Sequence, residues 1–261
     1  MERRWIEHFY QLLNRPEPTE PVAENVAAND EEVMPPSLNE VRAVLKALKN
    51  NKAPGPDNVP AELLKHGGEE MVKALHEMIA DVWETEAIPK TWEEGCLTVL
   101  HKSGDKNDCG NYRGITLLSV GYKVLANLLF RNLVNICDTQ LGDYQAGFRR
   151  NKSTSDHIFT IRQILEKYRE YNKDNYHLFI DFKQAYDSVH RHSVWNILAQ
   201  YNVPSKMIRL VKACYKNSRA SVIVNGNRTE PFDIQGGLRQ GCPLSTLLFN
   251  VTLDWVMRQT P

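Results

Sequence analysis

Apolar residues at Trp5, Ile6, Phe9, Leu12 and Leu13 recur with the spacing of one helix face, which predicts a helix over 2–13. The stretch that follows, to Pro36, is rich in Pro, Glu and Asn and has no such period, so it reads as a mobile acidic linker. Ser37 with Glu40 makes a capping-box signature ahead of Val41, Val44, Leu45 and Leu48, and a second helix is expected there. Three prolines and a glycine within 52–60 form a rigid turn, with helices to follow at 61–65 and 69–83. A strand at 97–100, a polar loop to Asn111, and helices from Val120 to about Ile136, from Ser155 to Tyr171 and from Pro204 to Tyr215 complete the helical pattern. Residues 220–224 and 229–234 alternate as strands around Asn225-Gly226-Asn227, a hairpin signal. No internal repeat is visible. The elements together predict an α+β fold with helices packed on an antiparallel sheet.

Two strings carry candidate chemistry. In FIDFKQAYDSV, residues 179–189, an apolar run from Tyr176 to Ile180 reads as a buried strand, which puts Asp181 at its carboxyl end. A carboxylate there is held by rigid backbone and open to solvent and Mg²⁺. Asp187, ahead of Val189, Val194, Ile197 and Leu198, is expected to be consumed as the N-cap of the next helix. An isolated acid at a strand end most often just closes a turn, so Asp181 gains meaning only from its context. That context is GGLRQGCPLSTLLFN, residues 236–250, some sixty positions later. Its glycines permit close backbone approach to a ligand, and Pro243 opens an apolar helix through Leu247, Leu248, Val251 and Leu253. Gln240 and Gly241 are thereby delivered at a loop-to-helix junction.

With NNKAPGPDNVPAELLK, LTVLHKSGD followed by CGNYRGITLLSVGYKVLANLLFRNL, and YQAGFRRNKSTSDHIFTIRQILE, these strings make five blocks in one order from Asn50 to Leu253. In that set the chain resembles the reverse transcriptases of non-LTR retrotransposons, particularly the RTE-like group. The resemblance implies right-hand polymerase fingers and a partial palm. It implies that Asp181 is the catalytic metal ligand, joined by the backbone carbonyl of Phe182. Tyr186 then blocks a ribose 2′-hydroxyl, Gln240 and Gly241 contact the incoming nucleotide and template, and Lys102 and Arg113 grip the triphosphate. The implied cofactor is Mg²⁺, two ions in the complete enzyme, and the implied partners are an RNA template, a DNA primer and deoxynucleoside triphosphates.

The family's aromatic-x-Asp-Asp hairpin has no counterpart, since no Asp-Asp pair occurs in the sequence. Asp254, flanked by Leu253, Trp255 and Val256 within a helix, reads as solvated or paired instead. Two cations about 4 Å apart need more negative ligands than one Asp supplies. The expectation is therefore a truncated polymerase with little activity as given, built of an N-terminal helix and acidic linker at 1–36 and fingers with a partial palm at 37–261. The alternatives are a non-catalytic nucleic-acid-binding remnant and an interaction role served by the first helix and linker. In Tyr112-Arg113-Gly114-Ile115, Gly stands where many relatives have Pro, which is expected to leave the Arg loop freer.

Charge sharpens the picture once it is counted by region. The whole chain balances at 32 basic and 32 acidic residues. Residues 1–95 hold 10 Lys+Arg against 19 Asp+Glu, whereas 96–261 hold 22 against 13, so the second part can face phosphate backbones. Phe148, Tyr186 and Tyr215 are aromatic candidates for stacking on bases. The five cysteines form no Cys-x-x-Cys pair and are expected as free thiols. No apolar run reaches membrane-spanning length, so no membrane contact is expected, and the protein is expected to be intracellular, in cytoplasm or nucleus.

Overall fold

The computed structural model describes residues 2–23 and 27–259. Helix α1 (Glu2–Leu13) presents Trp5, Phe9 and Leu13 as one buried stripe. Helix α2 (Leu38–Ala47) starts at the expected capping box, in which Ser37 accepts from the Glu40 amide and the Glu40 side chain accepts from the Ser37 amide. Helices α3 (Ala61–His66), α4 (Gly68–Thr85) and α5 (Lys90–Glu93) lead into strand β1 (Glu94–His101). Strand β2 (Tyr112–Leu117) returns beside it, and α6 (Val120–Cys137) follows. Helices α7 (Thr154–Glu170), α8 (Arg191–Gln200) and α9 (Ser205–Tyr215) precede β3 (Arg219–Val224), the short strands β4 (Asn227–Arg228) and β5 (Phe232–Asp233), and α10 (Pro243–Gln259).

The sheet is mixed, which corrects the antiparallel expectation. Strands β1 and β2 pair antiparallel, but β3 lies parallel to β1, with Cys96 beside Ser221 and Leu97 beside Val222. The reason is topological: a helical excursion separates β1 from β3, and such a crossover returns the chain in the same direction. Beyond β3 the expected hairpin forms. Asn225 and Gly226 both take positive φ, 51° and 82°, as a two-residue turn of the primed kind requires.

Two cores hold these layers. The larger lies among helices: Val44 of α2, Ile79 and Trp83 of α4, Leu125 and Leu129 of α6, Ile197 of α8, Val211 of α9, and Leu248 and Val251 of α10. The smaller joins α1 to the sheet, with Phe9 and Leu13 against Leu97, Ala220, Val222 and Ile234. Gly114 belongs to this second core, in strand β2 rather than in a free loop. A Cβ there would come within 2.7 Å of the Phe9 ring, so the missing side chain makes room for α1.

The acidic stretch after α1 is fastened to the body, contrary to the expectation of a free linker. Asn196 donates to the carbonyl of Val22, the Ser205 amide to that of Asn29, Trp83 to that of Val33, and the His76 ring meets that of Pro36.

Residues 176–180 form no strand, although the sequence pattern asks for one. Tyr176 is 90 % exposed and Phe179 81 % exposed, and no described strand pairs with them. β character needs a neighbour to take the backbone hydrogen bonds and cover the apolar face, and this segment has none. Helix α7, just before it, forms where expected yet buries no residue.

Candidate active site

The loop 236–242 is threaded between β2 and the segment 186–189. The Gly237 amide donates to Val189 at 2.9 Å, the Leu238 amide to Tyr186 at 2.8 Å, and the Thr116 amide to the carbonyl of Gln240 at 2.7 Å. Gly241 makes this docking possible. Its φ is 122°, and a Cβ would lie 2.5 Å from the Thr116 carbonyl oxygen. With the backbone fixed, the Gln240 amide donates to both carboxylate oxygens of Asp187, at 2.8 and 2.9 Å.

This bond overturns the assignment of Asp187 as a helix cap. The cap of α8 is His190, whose ring nitrogen accepts from the Ser193 amide, and Asp187 lies outside the helix's first turn. Burial pushes the Asp187 pKa above the ordinary carboxylate value, and the Gln240 hydrogen bond and the charges of Arg15, Lys102 and Arg113 offset this only in part. Lys102 and Arg113, both exposed, sit at the open end of the β1–β2 pair, where the Lys102 amide donates to Asn111 and Leu100 stands beside Arg113. Asp187 therefore gathers charge from three separated parts of the sequence. The small, partly open space beside it is about 20 Å³, room for about one water.

The other expected residues are placed as follows. Tyr186 is half-buried and stacks on Phe249 of α10, with ring centroids 4.8 Å apart. Asp181 and Phe182 lie in the exposed segment ahead of it, and Asp181 makes no hydrogen bond or ion pair among the described residues. Asp181 is thus not at the end of a paired strand, for the reason given above. Among the described residues no three His, Cys, Asp or Glu side chains come together as a metal site. Tyr215 cannot stack on a base: it is buried and its hydroxyl meets Ser245. Phe148 is 70 % exposed and takes a positive φ of 57°.

Residues 101–261 match the family model of the reverse transcriptase (RNA-dependent DNA polymerase) domain. The chain belongs to this family. Among similar proteins, the transposon TX1 uncharacterized 149 kDa protein of Xenopus laevis is 25 % identical over 94 % of this chain and 20 % of its own length. The probable RNA-directed DNA polymerase from transposon BS of Drosophila melanogaster is 27 % identical, over 84 % of this chain and 24 % of its own length. The RNA-directed DNA polymerase from mobile element jockey, also of Drosophila melanogaster, is 24 % identical over 86 % and 25 %. The chain spans about a fifth to a quarter of the length of these curated relatives.

Three features of this reverse transcriptase chain escape sequence reasoning. Asp187 is the first; its signal was present as the second acid of the string. Arg191 and Arg239 are the second, both buried and flanking Tyr215 at 5.0 and 5.9 Å from its ring centre. Arg191 donates to the carbonyls of Gly237, Tyr215 and Ile234, which ties α8 to the Gln240 loop. Burial lowers its pKa to about 10. Asp254 is the third, paired as expected but fully buried, accepting from the Gly142 amide and the hydroxyls of Tyr144 and Tyr201 and bridging Arg258 at 2.8 Å. The described residues contain five free cysteines, all buried, and no helix long and apolar enough to cross a membrane.

Proposed function

We propose that the chain forms fingers and part of the palm of an RNA-directed DNA polymerase from an RTE-like non-LTR retrotransposon, which takes an RNA template, a DNA primer and deoxynucleoside triphosphates. Supporting this above all is the convergence on Asp187 of Gln240 and of the positive charges of Lys102 and Arg113. A polymerase needs that arrangement, because catalysis of phosphoryl transfer rests on positioning and on neutralising phosphate charge. Arg113 offers a planar fork to phosphate oxygens and Lys102 a point charge. Gly241 packs the loop against β2, and Asp187 fixes the Gln240 side chain that this loop offers to a nucleotide. Tyr186, steadied by Phe249, supplies a ring wall against a 2′-hydroxyl.

Asp181 with the Phe182 carbonyl is proposed as the metal-side ligand of the whole protein. The described residues do not complete a cradle for two Mg²⁺ ions. The test is RNA-templated primer extension by the chain expressed within its element's reading frame. Asp181→Ala is expected to abolish extension, and Tyr186→Ala to raise ribonucleotide incorporation about tenfold. Extension at the wild-type rate by Asp181→Ala would remove Asp181 from the site.

A further inference from the structure

Arg191, Ile234 and Gly236 form a wall shared by two cavities. On one side is the small space at Asp187 and Gln240; on the other is a groove of about 800 Å³. The groove runs past the start of α8, the end of α9 and the start of β3, and its volume is in the upper part of the range for ligand sites. Five exposed cations line it: Arg15, Arg209, Lys212, Lys216 and Arg219.

The carboxylates lining the groove are already engaged. Glu86 is bridged by Lys206 at 3.2 Å and Arg209 at 2.8 Å, Asp233 by Arg219 at 3.3 Å, and Glu17 faces His190 at 3.5 Å. Lys212 and Lys216 form no ion pair among the described residues, whereas Arg15 donates to Gln184 and lends its charge to Asp187. In the wall of the groove, Arg191 holds a further positive charge against three carbonyls, with no carboxylate among its partners in the described residues. Charge buried without a counter-ion is poorly screened and projects into the nearest open space.

We propose that this groove binds the phosphodiester backbone of a single strand of nucleic acid, at a site separate from the Asp187–Gln240 face. One strand can lay successive phosphates along Lys212 and Lys216. Trp195 and Tyr215 in its wall are buried, so the contacts are to backbone and independent of base sequence. The inference goes beyond the polymerase function, since none of Lys102, Arg113, Asp181, Tyr186 or Gln240 lines the groove.

The test is lysine footprinting of the wild-type chain with a short single-stranded RNA of mixed sequence, combined with fluorescence anisotropy across a salt series. Lys212 and Lys216 are expected to be protected from acylation, and to stay protected when Lys102→Ala and Arg113→Ala disable the other face. The doubly substituted K212E/K216E chain is expected to bind the RNA more than about tenfold more weakly, with a log–log salt slope shallower by about 1.4. Unprotected Lys212 and Lys216 would overturn the proposal. So would equal protection by duplex DNA, or a K212E/K216E affinity within twofold of wild type.

Discussion

Replacing Gly241 by Ala tests the docking of the Gln240 loop directly. The new Cβ must occupy a backbone at φ 122° while lying 2.5 Å from the Thr116 carbonyl oxygen. The backbone strain costs about 1–3 kcal/mol. Relief of the overlap moves the loop off β2 and weakens the 2.7 Å bond from the Thr116 amide to Gln240, about another 0.5–1.5 kcal/mol. Lower entropy of the unfolded chain returns about 0.4–1 kcal/mol, leaving a net loss between about 0.5 and 4 kcal/mol and centred at about 2. Gly226→Ala is the control, because it also has a positive φ, 82°, but nothing within 4 Å of its Cβ. It should cost about 1 kcal/mol. Equilibrium urea denaturation measures both, and the midpoint should fall clearly further for Gly241→Ala. Equal midpoints for the two variants would refute the claim that close approach, beyond dihedral strain, requires this glycine.

Asp187→Asn should be at least as stable as wild type at pH 7, because burial disfavours the charged carboxylate. A raised folded pKa means a penalty present above it and absent at lower pH. The gain over wild type should therefore vanish on acidification, and an Asn variant less stable at pH 7 would contradict it. Asp254 shows the opposite sign. Burial acts to raise its pKa, but bonds from Tyr201, Gly142 and Tyr144 and the charge of Arg258 outweigh that, and it lies below the ordinary value. Its contribution is full above the unfolded value of about 3.9 and is lost as pH falls through the folded one. The urea midpoints of wild type and Asp254→Asn should differ by the equivalent of about 1.5–3 kcal/mol at pH 7 and converge under acid.

Periodicity located most helices because their burial is local to one stripe, as at Trp5, Phe9 and Leu13, and because caps such as Ser37 with Glu40 act within one turn. Strand β2 was not legible: Tyr112-Arg113-Gly114 lacks an apolar run, and its place follows from pairing with β1 and contact with Phe9. The segment 176–180 failed in the reverse direction, since its residues favour a strand but pairing depends on a neighbour. At the site, the placement of Gln240 and Gly241 just before a helix was legible from the glycines and Pro243. The role of Asp187 was not, because a helix cap and a partner for a distant amide use the same side chain. Only the fold brings Gln240 within 2.8 Å of it.

The described residues of the strap between α1 and α2 are gripped mostly through peptide oxygens, at Val22, Asn29, Val33 and Pro36, and the Asn29 side chain adds one bond to the carbonyl of Asn202. Every residue type carries that oxygen, so substitutions at Val22, Val33 and Pro36 leave the grip intact while Asn196, Trp83 and His76 persist. Its route over the surface can then outlast its letters, and homologues that look unalignable between these helices can share one path.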